Sequence, residues 1–307
     1  TRWLSDWSSD VCSSDLMLRE TIPGERMPDT VLEREVRAVL ASSGDFLRWR
    51  KAEIGSEFTL DALMAEGFDA TLVTLGMNVS VELPGERPNS GVAGALEFLA
   101  QAKQAQLRLP AEAAVLVIGG GNTAIDAAVT AKRCGARDVA IVYRRSFAEM
   151  PAWPEERDEA IRAGIHFLIL TQPVAYIAEG GERRLTGLKV ARTKLSAPGP
   201  DGRRQPQAVA GSEHVIPADL VIEAIGQQVD AGLRQALTGL EFTRSGRVRT
   251  REGSLETTRT GVFAAGDIVN GGTTVVQAVA EGARAAWEIH RFLQGVDDAM
   301  FKTTMAR

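Results

Sequence analysis

The chain is 307 residues long, and at roughly 150 residues per domain it has room for two compact domains, each with its own core. An apolar fraction of 44%, a charged fraction of 24% and a net charge of −5 exclude a disordered chain and a nucleic-acid footprint, and no apolar run approaches the ~18 residues of a membrane span. Two cysteines exclude a disulfide framework and a cysteine metal cage, so composition alone reads as a cytoplasmic, glycine-rich protein with no membrane and no nucleic-acid partner.

Residues 1–16 are rich in Trp, Ser and Asp and carry neither helical nor strand periodicity. The run from Asp6 to Leu16, DWSSDVCSSDL, resembles an in-frame translation of a common sequencing-library adapter. These residues are read as an assembly artefact, with the biological chain expected to begin at or near Met17 and to be truncated there. Cys134 is then the sole native cysteine.

From Met17 to Pro28 the chain is punctuated by Pro and Gly and reads as loop. Val31, Leu32, Val36, Val39 and Leu40 form a helical stripe over 29–41. Thr59 is placed to cap a short helix that runs through Glu66 and stops at Gly67. Phe68 to Leu75 reads as a buried strand closed by Gly76, and Pro84 to Gly94 as a linker ahead of an amphipathic helix to about Gln104. Ala114 to Ile118 is an apolar strand. Ile125, Ala128, Val129 and Lys132 follow at helical spacing, with Gly135 in the C′ position. Further strands are predicted at 139–143, 166–170, 185–193 and 218–225, with a helix over 154–163 and a Pro/Gly loop between the last two strands. A final helix carries Val275, Val279, Gly282, Ala286 and Ile289 on one face. Strands alternating with helices predict an α/β fold with parallel sheets.

Between the strand at 114–118 and its helix stands Gly119-Gly120-Gly121-Asn122-Thr123-Ala124, a G-x-G-x-x-A turn. In a βαβ setting this is a dinucleotide fingerprint: Gly119 permits the tight turn, Gly121 lets backbone approach a pyrophosphate, and Ala124 lets the helix pack closely. The amides at the helix start then face the phosphates. A bare glycine-rich turn is the alternative. The next strand ends in Arg144-Arg145, where NAD-binding folds usually carry an acid for the ribose hydroxyls. A guanidinium pair suits a 2′-phosphate, which favours NADPH; the alternative is a solvated basic strand end.

A second turn lies near the C-terminus. Thr260-Gly-Val-Phe-Ala-Ala-Gly266-Asp267 is an apolar strand ending on a carboxylate, and Gly271-Gly272-Thr273-Thr274-Val275 delivers a helix N-terminus. It resembles the C-terminal FAD-binding motif of flavoproteins built on two dinucleotide folds. The strand ends at Thr71 to Gly76 and Val221 to Gly226 resemble the crossovers between their FAD and pyridine-nucleotide domains. Leu18-Arg19, Ile22-Pro23 and Arg26-Met27-Pro28 narrow the likeness, as do VIGGGNTAIDAA from Val117, YRRSFAEMPAWPEE from Tyr143 and AIGQQ from Ala224. Together they resemble one family, that of the glutamate synthase small (beta) subunit, the NADPH–flavin module of dihydropyrimidine dehydrogenase and related ferredoxin–NADP reducing subunits. The likeness covers Met17 to about Leu293.

What the resemblance implies is an NADPH domain at 77–226, inserted into a partial FAD domain made of 17–76 and 227–297, with a tail at 298–307. It places Arg26 near FAD and Gly266, Asp267, Thr273, Thr274 and Val275 on its ribityl and phosphate parts. Gly119 to Ala124 with Arg144 and Arg145 then hold NADPH, with Ala224, Ile225 and Gly226 lining its site. The implied reaction is hydride transfer from NADPH to FAD, with electrons passing to iron–sulfur clusters in a preceding segment or in a larger partner subunit. A pyrimidine-reducing or ferredoxin-linked subunit is the rival in the same class, and a non-enzymatic NADP(H)-binding module the rival outside it. The family's earlier G-x-G-x-x-G for the FAD pyrophosphate has no counterpart among Gly24, Gly44, Gly55, Gly67 and Gly76. The chain is therefore expected to bind NADPH but to purify with little FAD.

No C-x-x-C exists, which excludes a disulfide reductase of the thioredoxin reductase type, and neither a nucleophile triad nor a metal-ligand spacing stands out. Cys134 reads as a small buried hydrophobe, His166 as core or sheet-edge packing and Trp153 as a packed aromatic.

Overall fold

The computed structural model describes residues 4–6, 17–43, 48–50, 54–55, 58–77, 79–105, 107–181, 183–199 and 202–295. Most of residues 1–16 and all of the 298–307 tail lie outside the described residues. The chain divides into two compact units, one made of Thr1–Leu16, Glu33–Val79 and Gln227–Arg307, the other of Met17–Leu32 and Ser80–Gly226.

The first segments supply β1 (Leu4–Asp6), α1 (Asp29–Ser43), β2 (Arg48–Arg50), α2 (Leu60–Ala65), β3 (Thr71–Val73) and β4 (Val79–Ser80). Thr59 caps α2 as its sequence predicts, its hydroxyl accepting from the Ala62 amide at 3.2 Å.

The Ser80–Gly226 stretch then builds β5 (Val92–Gly94), α3 (Ala95–Ala105), β6 (Ala114–Ile118), α4 (Asn122–Arg133), β7 (Asp138–Tyr143), α5 (Pro154–Arg162), β8 (His166–Ile169), β9 (Thr171–Glu179), β10 (Arg184–Pro198), β11 (Arg204–Ala208), β12 (His214–Pro217) and β13 (Leu220–Glu223). Its sheet is parallel, in the order β5-β13-β6-β7-β8. Period-two alternation explains why these strands read as continuous apolar runs. Val115, Val117, Val139 and Ile141 face one side, onto Ala124, Ala127, Ala128 and Ala131 of α4. Leu116, Ile118 and Val142 face the other side, onto Leu188 and Val190 of β10. Small alanines let α4 lie close to the sheet, while an antiparallel layer, β9 and β12 flanking β10, covers the opposite face.

Three sequence expectations change here. The stretch taken as linker ends in β5, and the predicted Pro/Gly loop is largely strand, because ladder bonds to β13 and β10 satisfy backbone that propensity alone leaves unassigned. Met17–Leu32 packs with the Ser80–Gly226 stretch rather than with 33–76. The physical reason is a set of cation contacts: Lys103 Nζ donates to the Leu18 and Ile22 carbonyls at 3.1 Å each and pairs with Asp29 at 3.3 Å. Arg133 pairs with Glu25 as well.

The returning chain adds β14 (Gln227–Gln228), α6 (Ala231–Ala236), β15 (Val262–Ala264), α7 (Asp267–Asn270) and α8 (Val275–Leu293). β15 pairs with β3 in parallel, and Val73, Val262, Ala264, Leu237 and Ile268 form the core of this unit. The predicted apolar face of α8 is only half buried. Ala285 and Ile289 are sealed, whereas Val276 is 78% exposed and Val279 67%.

Ile141, 0% exposed between two layers, contrasts with Val276 in a direct test. Ile141→Ala should cost about 2–5 kcal/mol and lower the urea midpoint, while Val276→Ala should stay within about 0.5 kcal/mol.

Candidate functional site

β6 ends at Ile118 and the chain turns through three glycines that differ in kind. Gly119 has φ +145°, and a Cβ there would collide with the Ala224 carbonyl oxygen. A Cβ on Gly120 would collide with the Tyr143 ring. A Cβ on Gly121 would meet no atom within 4 Å, and its φ of −90° suits any residue. Packing within the protein therefore demands the first two glycines and leaves the third without an internal reason.

Gly121 is the N-cap of α4, and no side chain caps that helix. The Gly121 carbonyl accepts from the Ala124 and Ile125 amides, so the Asn122 and Thr123 amides stand at the uncapped positive end of the helix dipole. The Asn122 side chain is engaged elsewhere, accepting from the Trp153 amide at 3.2 Å, and Ala152 donates to the Gly120 carbonyl at 3.0 Å. Trp153 itself is 55% exposed, not a packed aromatic, because its segment docks on the glycine turn through backbone.

β7 leads from the same corner to Arg144, exposed, and Arg145, half-buried. Their carbonyls are pinned by Thr193 Oγ1 at 2.8 Å and the Leu170 amide at 2.9 Å. Arg145 Nε is buried with no hydrogen-bond partner, and among the described residues neither guanidinium pairs with a carboxylate. The third strand end, Ala224-Ile225-Gly226, leaves β13 beside the turn: Ala224 donates to the Ile118 carbonyl at 2.8 Å, and Gly226 takes φ +117°. Just before it, Glu223 is 2% exposed and accepts from the Leu83 amide at 2.5 Å and the Tyr176 hydroxyl at 2.6 Å, with Arg87 at 3.1 Å. Burial and then the Glu223 carboxylate push the Tyr176 phenol upward. Sequence reasoning passed over Glu223, since a lone acid inside an apolar strand gives no periodic signal.

The second turn lies in the other unit. Gly266, at φ +75°, precedes Asp267 at the start of α7, and Gly271 and Gly272 take φ +88° and +96° before Thr274 caps α8 by accepting from Gln277 N at 3.2 Å. Burial raises the Asp267 carboxyl against the opposing Thr273 amide, with Glu281 adding to the rise. Glu281, also missed from sequence, organises this turn. It accepts from the Gly266 amide at 2.8 Å, from Asn270 Nδ2 at 3.0 and 3.1 Å, and from Gln277 Nε2 at 3.0 Å. Burial pushes its carboxyl upward, but those bonds and Arg284 outweigh it and hold it low.

The pyridine nucleotide-disulphide oxidoreductase family matches residues 28–282. The chain belongs to that family. It is 36% identical over 281 residues to the NADP(+)-dependent formate dehydrogenase subunit beta of Moorella thermoacetica, covering 91% of this chain and 39% of that protein. It is 37% identical over 287 residues to the glutamate synthase [NADPH] small chain of Halomonas elongata, covering 89% and 59%. The chain thus spans about two fifths to three fifths of these relatives. Among solved structures, Mycobacterium tuberculosis FprA in complex with NADPH superposes with a TM-score of 0.71 at 17% identity, over 92% of this chain and 76% of that one, which establishes the fold. That fold is the α/β, Rossmann-like architecture the sequence predicts.

In this pyridine nucleotide-disulphide oxidoreductase, Cys134 is a half-buried helix C-cap. His166 is exposed on the edge strand β8. Arg26 lies in the unit of the Gly119 turn, bridging Asp126 of α4 at 3.2 Å and Glu156 of α5.

Gly119→Ala and Gly120→Ala should each lower stability by about 1–3 kcal/mol, and Gly121→Ala should not, as thermal unfolding will show. Burial pushes the Asp126 carboxyl from 3.8 to about 6, against Arg26 and with Glu156. The folded state then holds the proton more tightly than the unfolded one, so this group's contribution falls as pH rises from about 4 to about 6. Asp126→Asn should flatten that fall in urea midpoints measured across the same window.

Proposed function

We propose that the Gly119 unit binds NADPH and that the parent protein passes its hydride to FAD, as the electron-input part of a larger oxidoreductase. The observation that carries this reading is the unpaired arginine pair at the strand end next to an uncapped glycine turn. Gly121 offers room that the protein does not use, and the Asn122 and Thr123 amides suit a pyrophosphate. Arg145 Nε, buried without an acceptor, suits a 2′-phosphate, and Arg144 stands beside it. Ala224 to Gly226 border the same turn.

In the other unit Asp267 offers an acceptor to a ribityl-type hydroxyl, and the start of α8 at Thr273 to Val275 offers amides to a dinucleotide. FAD held there would supply the conversion of a two-electron hydride into single electrons. No side chain of this chain need serve as acid or base; its residues bind, orient and exclude water. The relatives' names, a formate dehydrogenase subunit and a glutamate synthase small chain, support a larger catalytic subunit as the electron acceptor. Arg26, tied to Asp126 and Glu156, serves in this reading to fasten the 17–28 segment to α4 and α5.

Titration separates the possibilities. NADP+ should bind more tightly than NAD+, and Arg144→Ala with Arg145→Ala should cost tenfold or more, on the order of 1.5–3 kcal/mol, in NADP+ affinity alone. An unchanged NADP+/NAD+ ratio would sink the assignment. Gly121→Ala, harmless to folding, should weaken both nucleotides alike. Bleaching of flavin absorbance by NADPH in the flavin-loaded protein tests the hydride step, and a flavin that stays oxidised refutes it.

A further inference from the structure

We infer that Glu149 is a positioning residue that keeps the Arg144–Arg145 pair open to a 2′-phosphate, an inference that rests on the nucleotide reading above. Glu149 lies four residues past Arg145, at the end of the short turn that follows the arginine pair. Here both of its oxygens are engaged elsewhere. Oε2 accepts from the Ser146 hydroxyl at 2.5 Å and the Ser146 amide at 3.2 Å, while Oε1 faces Arg204 Nη1 of β11 at 3.7 Å.

Ser146 answers in turn, its hydroxyl accepting from the Ala148 amide at 3.2 Å, so the two residues form a capping box around the short turn at Phe147–Glu149. The Glu149 carbonyl also accepts from the Tyr143 hydroxyl at 2.7 Å. Tyr143 is the ring that packs on Gly120, and three residues beyond the turn Ala152 donates to the Gly120 carbonyl. The segment from Tyr143 to Trp153 therefore closes on itself through Glu149 and fastens at both ends to the glycine turn. The backbone of the arginine pair is fixed on one side by Thr193 and Leu170 and on the other by this box. Cation and turn reach a bound nucleotide at a set spacing only while the box holds.

The test measures NADP+ and NAD+ dissociation constants by calorimetry on the 307-residue chain and its variants, with thermal unfolding alongside. Glu149→Ala should weaken NADP+ about fivefold while NAD+ moves by less than about twofold, the loss expected of a broken cap. Glu149→Gln retains an oxygen for both Ser146 donors and should restore NADP+ affinity to within about twofold. Should Glu149→Ala fail to fold, Ser146→Ala carries the same expectation, since it removes the hydroxyl half of the same box. Equal weakening of both nucleotides, or of neither, overturns the role of Glu149 while leaving the nucleotide reading intact. An unsubstituted chain that binds NADP+ no more tightly than NAD+ overturns the nucleotide reading itself.

Discussion

The ends of β6, β7 and β13 meet at one point because the space beside Gly119 and Gly120 is already filled, by the Ala224 carbonyl and the Tyr143 ring. Everything proposed for this unit follows from that close approach. It sets where α4 begins, and with it the direction of the uncapped amides. It also aims the Arg144–Arg145 strand end and the Ala224–Gly226 strand end at the same turn. The alanine face of α4 extends the constraint, since bulkier side chains at Ala124, Ala127 or Ala128 would lift the helix and its dipole off the sheet.

Charge placement in the same unit is selective. Arg133, Arg183 and Arg204 each face a carboxylate, and Arg26, Arg87 and Arg137 face two apiece. Apart from Arg87, whose partner Glu223 is buried, exposed pairs of this kind contribute little to stability and mainly settle where loops lie. Against that background Arg145 stands apart, its Nε buried with no acceptor within the protein, which is the place the proposed 2′-phosphate would fill.

The two glycine turns solve the same problem by different local means. The first is shaped by backbone and ring contacts around glycines that cannot carry a side chain. The second is shaped by one carboxylate, Glu281, which reaches back from α8 to the Gly266 amide and the Asn270 side chain. Those bonds tie the turn to the start of α8.

Periodicity and turn chemistry alone specified a good deal. The α/β class, the β6–α4–β7 unit and the glycine turn were legible because parallel strands buried on both faces leave continuous apolar runs, and because strand, glycines and helix follow each other locally. The Thr59 cap and the Gly135 stop were legible for the same reason. What lay beyond the sequence depends on partners distant along the chain. β5 and β12 exist through ladders to β13 and β10, and residues 17–32 join the second unit through Lys103, Asp126 and Glu156. The exposure of Val276 and Trp153 was likewise invisible, since periodicity predicts which residues share a face but not whether anything covers it. Glu149, Glu223 and Glu281 show the limit most plainly: a carboxylate's role is fixed by the donors that surround it, and only the tertiary structure brings those donors together.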